Sequence, residues 1–391
     1  MLTRSSPRIT RTRSRSEHAV AQAWTVLRSR CKTIRMMVTL AALTSGPFLQ
    51  SAFAAGLANP DHIATSLPDR AALALQSLMN RYAIKGRSDW QGLHAWQRFV
   101  TVSILSDYEI ISGNTRFHTA ALHALQNRHG LDGNDDDLWV AQADLDMARL
   151  THTASQIQDA RTIFDMIASQ YWDGHCGGGV WWDHARTYKN AITNELFLNT
   201  AARLYHLTHD PAYKNWALKS WAWFRSSGLI TADNLVNDGL NHQCLNNGGA
   251  PYSYNQGVIL DGLLEISSLT NDGAPRQAAS RIALSAIKTF TSFSGSFQEP
   301  GGTMNTDARI FRGVFVRALG HVAASEIDHT TRSMIADWLS QQAQFAWRIG
   351  KPGFRVSDTW SDHPFHISAQ GQITAASLFL AIPLPQSVPT P

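Results

Sequence analysis

The 391-residue sequence predicts an all-α protein whose helices close into an α/α toroid as a single domain, and three observations support that class. From about residue 65 to residue 382, apolar residues recur at three- and four-residue spacing for 14 to 20 residues, and then Gly, Asn, Asp or Pro interrupts them. Alternating strand-like runs are nearly absent. No 34-residue or leucine-rich period is present, which disfavours a solenoid, and no low-complexity linker divides the region.

The elements follow in order. Residues 1–54 read as an export leader: a basic stretch, the apolar run Met36–Leu49, and the small-x-small pattern Ala52-Phe53-Ala54, with cleavage near Ala54. That apolar run is shorter than the roughly 20 residues a spanning helix needs. The sequence therefore predicts a secreted or periplasmic protein with no membrane span after cleavage. Helical periodicity then covers about 93–112, 138–151 after the acidic start Asp135–Asp137, and 154–170. Gly177–Gly179 opens a long aromatic loop, expected to be flexible, before helices at 188–207 and 211–226. After the break at Gly248–Gly249, the polar Pro251–Gln256 segment opens a helix that lines Ile259, Leu263, Ile266 and Leu269 on one face. Further helices are expected at 275–291, at 307–324 after the Gly301–Gly302 break, and at 328–348, and the Pro383–Pro391 tail reads as a loose end.

Hydrophobic residues make up 44% of the chain and charged residues 16%, which excludes a disordered or coiled-coil protein. The net charge of +4 comes from the leader, which holds nine Lys/Arg in its first 35 residues against Glu17. The remainder carries 25 basic and 29 acidic residues, so a nucleic-acid partner is not expected. Beyond the leader, Cys176 and Cys244 suit either one disulfide or two separate thiols. His242-Gln243-Cys244 and His206-x-x-His209 lack the further ligands a zinc site needs, so no metal is predicted. Neither a Gly-x-Gly-x-x-Gly turn after a strand nor a phosphate loop is present, and no organic cofactor is expected.

Chemistry concentrates in Asn134-Asp135-Asp136-Asp137-Leu138-Trp139. One Asp satisfies a helix N-terminus. Three in a row repel one another and raise at least one pKa, placing a neutral acid beside an anion, as acid/base work at a glycosidic bond requires. An EF-hand reading fails, because position six is Asp137 and position twelve is Ala143. A second constellation joins Trp181 and Trp182 to Asn190, Asn194 and Glu195. Asn190 and Asn194 lie one turn apart, and exposed rings with amides suit a sugar. Trp181 and Trp182 read equally as sugar platform or as packing.

In order and spacing, Asp135-Asp136-x-x-Trp139, Gly177–Asp183 with Tyr188-Lys189-Asn190-Ala191-Ile192-x-Asn194-Glu195-Leu196, and Tyr252-x-Tyr254-Asn255-Gln256-Gly257 resemble glycoside hydrolase family 76. Trp96-Gln97 and Phe311–Arg317 resemble further family segments, so the similarity spans roughly 70–380. The resemblance implies an (α/α)6 barrel acting as a retaining endo-α-1,6-mannanase on α-mannan. Asp135 would be the nucleophile and Asp136 the general acid/base. Trp96, Gln97, Trp139, Trp182, Asn190, Asn194, Glu195, Tyr254, Asn255 and Gln256 would bind substrate. Asp137 departs from the pattern and admits an Asp136/Asp137 register. Asn134, where bacterial members often have Tyr, is shared with fungal relatives that transfer glycans between cell-wall chains. A retaining enzyme needs carboxyls about 5–5.5 Å apart. The helix N-terminus is expected to keep Asp135 ionised, and burial against Trp139 to raise the pKa of Asp136. Transglycosylation uses the same intermediate. A sugar-binding protein would not need adjacent acids, and an isomerase on the same toroid would call for paired histidines, which are missing from the pattern.

Overall fold

The computed structural model describes residues 66–300, 304–350, 353–361 and 366–383. The leader over 1–54, the Gly301–Gly302 break and all but the first residue of the Pro383–Pro391 tail lie outside them.

Twelve helices occur among the described residues: α1 Leu67–Tyr82, α2 Ala95–Ser112, α3 His118–Gln126, α4 Asn134–Thr151, α5 Ala154–Gln170, α6 Ala191–Thr208, α7 Pro211–Ser226, α8 Ser253–Thr270, α9 Ala274–Phe290, α10 Ala308–Ala324, α11 His329–Arg348 and α12 Ala369–Ala381. The even-numbered helices form an inner ring, each packed on the next, and α12 packs back on α2 to close it. The odd-numbered helices back them from outside. The fold is an (α/α)6 barrel. No described helix is long and apolar enough to cross a membrane.

Composition assigns the rings. Outer α5 buries only Ala160, Phe164, Ile167 and Ala168, one stripe at helical spacing. Inner α12 carries no charged residue and buries nearly all its length, which erases the periodicity that would have delimited it in the sequence. Nine-residue α3 was also not delimited, having too few turns to show a period. Helix α6 begins at Ala191, not 188, because strand β1 (Lys189–Asn190) pairs antiparallel with β2 (Gly239–Leu240). Helix α4 begins at Asn134, which draws all three aspartates into its first turn.

About three turns down the inner helices, ion pairs cross the barrel. Arg317 binds Asp107 and Asp146, and Arg203 binds Asp146 at 2.7 Å. Burial alone would raise the Asp146 pKa, but Arg203, Arg317 and Arg149 hold it well below the usual range. This closes the barrel floor and leaves the opposite face for the site.

Candidate active site

The N-terminal turns of the inner helices converge on one face. Gly133, at φ 97°, starts α4 in a conformation that favours glycine, and a Cβ there would lie 2.9 Å from Asp135 Oδ1. Asn134 N–H and its side-chain amide donate to the carbonyls of Trp182 and Trp181, both at 2.8 Å. The acidic turn is thereby fixed against the aromatic loop.

Asp135 is half-buried, and its enclosed Oδ1 has no hydrogen-bond partner. Burial and then the charge of Asp136 push its pKa well above the carboxylate range, while the Asp135 and Asp136 amides and the Trp182 indole pull the other way. The expectation that the helix N-terminus keeps Asp135 ionised is therefore corrected: desolvation outweighs the first-turn amides. Asp136, 8% exposed, accepts from the Asp132 amide at 2.9 Å. Burial pushes it to about 7, with Asp137, Asp132 and Asp307 adding repulsion against that amide bond. The charge of Asp136 makes Asp135 harder to ionise, so the two carboxyls do not titrate independently. Asp137 is raised by burial, opposed by His184.

Beside the pair runs an aromatic row. Trp96 stacks on Trp139 with centroids 5.7 Å apart and meets Phe311 at 6.1 Å. Phe311 stacks on Tyr254 at 3.8 Å and 7°, and Tyr252 lies 5.5 Å from Phe311. Trp96 and Tyr254 remain half-buried, and Trp139 and Phe311 form the packed layer beneath. Trp181 and Trp182 divide between the two readings: Trp181 is buried, and Trp182 is half-exposed beside Asp135.

Sequence reasoning missed Asp307. Its Oδ1 accepts from Trp96 Nε1 at 3.1 Å and Gln97 Nε2 at 2.9 Å, and lies 2.9 Å from His94 Nδ1. A lone Asp at the first position of a predicted helix gave no signal for this. It is a third acid at the site, held by the segment that contains Trp96-Gln97.

Several predicted sugar ligands have their polar groups committed elsewhere. Asn194 accepts from Val180 N–H at 2.7 Å and donates to the carbonyls of Val180 and Asn190. Gln256 does the same to Val236 and Tyr252, and Gln372 to Val356 and Ser368. Three inner helices thus use one device, an amide that ties down a valine of the preceding loop. Asn190 caps α6 by accepting from Thr193 N–H. Gln97, fully buried, donates to Asp307 and accepts from Gln370 at 2.8 Å. Asn194, Gln97 and Gln256 therefore position loops and Asp307, with both amide atoms of each in use, whereas Asn190 commits only its Oδ1. Glu195 and Asn255 are fully buried with both polar atoms unpartnered, and burial pushes Glu195 well above its usual range. They lie beneath the site, not on its surface.

The Gly177–Gly179 loop is fastened rather than flexible. Buried Lys189 Nζ donates to Asp173 Oδ1 and to the carbonyls of His175, Gly178 and Gly179, all at 2.7–2.8 Å. Gly179, at φ 87°, lies so close to Trp223 that a Cβ would meet its ring at 2.4 Å. Cys176 and Cys244 form a disulfide, which decides between the two alternatives the sequence left open. Together these contacts present Trp182 to Asp135.

A closed (α/α)6 barrel with paired acids and stacked rings on one face defines a protein of the helical-barrel glycosidase class. The chain belongs to glycosyl hydrolase family 76, whose sequence profile matches residues 66–386. It is 28% identical over 260 residues to a mannan endo-1,6-alpha-mannosidase of Candida albicans, covering 60% of this chain and 57% of that protein. It is 26% identical over 348 residues to a mannan endo-1,6-alpha-mannosidase of Candida glabrata, covering 79% and 76%. The fold matches an inactive variant of an alpha-1,6-mannanase from a Salegentibacter species in complex with alpha-1,6-mannotriose, in which two consecutive aspartates are replaced by asparagine. That match has a TM-score of 0.73 and 19% identity, and covers 81% of this chain and 98% of that one.

Proposed function

We propose that the protein is an exported glycoside hydrolase that cleaves α-1,6-mannosidic linkages in mannan with retention of configuration. The observation that carries this is the adjacent, partly desolvated pair Asp135 and Asp136, one of which is pushed to about 7 at the foot of an aromatic row. The names of the relatives and the paired aspartates of the inactivated mannanase support it.

In this reading Asp136 protonates the departing glycosidic oxygen while Asp135 attacks the anomeric carbon and forms a glycosyl ester. Asp136 then takes a proton from the incoming water, which displaces Asp135. Cationic character at the anomeric carbon favours Asp135 ionised as the bond breaks, offsetting the burial that raises its pKa. Trp96, Trp182 and Tyr254 supply ring faces to the sugar C–H surfaces. Asp307 supports the protonated form of Asp136 by like-charge repulsion.

The upward shift of Asp135, driven by burial and by the charge of Asp136, favours a second reading with the two roles exchanged. Mass spectrometry of the protein trapped with a 2-fluoro mannoside separates them, because the label marks the nucleophile.

Product analysis on linear α-1,6-mannan tests the activity. Short manno-oligosaccharides are expected from the wild type. The yield should fall roughly 10³-fold or more for Asp135→Asn and Asp136→Asn, and change little for Asp137→Asn. Loss in Asp137→Asn with activity kept in Asp135→Asn would move the pair by one residue. Absence of products from folded wild type would reject the activity, and products longer than the substrate would identify transfer in place of hydrolysis. N-terminal sequencing of exported material should begin just after Ala54.

A further inference from the structure

The metal reading that the sequence rejected for His242-Gln243-Cys244 lacked further ligands, and the fold supplies them from a segment more than 60 residues away. The His175–Gly177 turn and the loop after β2 meet where Cys176 bonds Cys244. His175 Nε2 lies 3.7 Å from Cys244 Sγ, and the ligand atoms of His175, Cys176 and Cys244 all lie within 4.8 Å of one another. The His242 ring, exposed to solvent, lies 4.9 Å from that of His175. Two imidazoles and two sulfurs thus stand together on two loops that are already held in place. The His175 ring is fixed by stacking on Trp181 at 5.0 Å.

We propose that reduction of the Cys176–Cys244 disulfide converts this strap into a tetrahedral Zn2+ site, with His175 and the two thiolates as ligands and His242 or water completing it. A dithiol reductant delivers two electrons and two protons to the disulfide and is itself oxidised to a disulfide, leaving two thiols. Zn2+ then binds both sulfurs and displaces their two protons to solvent. Zn–N and Zn–S bonds of about 2.0–2.1 and 2.3 Å put ligand atoms about 3.6 Å apart, which is the separation already present between His175 Nε2 and Cys244 Sγ. The two sulfurs must part, and both cysteines are partly open to solvent, so reductant and metal can enter. The Lys189 ammonium nearby faces the His175 carbonyl and is neutralised by Asp173, so it does not oppose the cation with a free charge. Zinc would keep the loop that carries Trp182 fastened to the loop after β2 when the covalent bond is absent.

The test is metal binding by the whole protein. Wild type is reduced with a phosphine, which is oxidised to its oxide with oxygen from water, and is then freed of reductant and dialysed without oxygen against Zn2+ or Co2+. One bound equivalent is expected by metal analysis, and cobalt should give the visible bands of a tetrahedral thiolate centre. The oxidised protein should bind none. His175→Ala, which leaves the disulfide free to form during folding, should weaken zinc binding in the reduced state by roughly tenfold or more. Failure of the reduced wild type to bind, equal binding by the oxidised protein, or octahedral cobalt spectra would each overturn the proposal. So would equal binding by a Cys176→Ser/Cys244→Ser variant that retains the wild-type helical circular dichroism.

Discussion

Replacing Lys189 with methionine tests how firmly the aromatic loop is held. The ammonium, 1% exposed in its side chain, shares its three N–H groups among four acceptors, of which the Gly178 and Gly179 carbonyls lie in buried residues. Methionine fills similar volume and donates nothing. Each buried carbonyl left without a donor costs roughly 1–3 kcal/mol, so the two contribute about 4 kcal/mol. Asp173, 36% exposed in its side chain, regains water and adds at most about 1 kcal/mol. The disulfide limits how far the loop can move, so the loss falls on local packing and on the placement of Trp182. Urea denaturation should show a destabilisation of about 4 kcal/mol, with Tm lower by roughly 8 °C at about 2 °C per kcal/mol for a domain of this size. Mannan cleavage should weaken together with stability. A destabilisation under about 1 kcal/mol, with activity unchanged, would refute the claim that Lys189 organises the loop.

Three further outcomes follow from the same geometry. The kcat/KM profile should fall as pH rises through about 7, because Asp136 must carry a proton to act as acid; Asp307→Asn should move that fall toward acid, and a profile flat from pH 5 to 9 would contradict both. Asp136→Asn should lose activity and gain stability at pH 8. The folded pKa is raised, so the wild-type contribution is complete below about pH 4 and is lost as pH rises toward 7, a difference on the order of 2–4 kcal/mol; equal denaturation midpoints at pH 8 would count against it. Gly179→Ala should destabilise by about 3 kcal/mol, since its Cβ meets Trp223 at 2.4 Å and its φ is 87°, and an unchanged thermal midpoint would show that Trp223 yields freely.

The sequence by itself determined the helical class, because the outer helices must show water one face and the core the other, and that contrast survives as spacing. It also made the acidic run Asp135–Asp137 conspicuous at a helix start, and the family resemblance, not the spacing, picked Asp135 and Asp136 from it as the expected pair. Tertiary structure decided the rest. The inner helix α12 is buried along nearly its whole length and loses its period. Asn194 and Gln256 have the chemistry of sugar ligands, but their amides are committed to Val180 and Val236, a fact that depends on where the preceding loop folds back. Asp307 became a third acid only through contact with Trp96 and Gln97, about 210 residues earlier. Residue type sets what a side chain can donate or accept; which partner it meets, and how much water remains around it, is fixed only when the ring of helices closes.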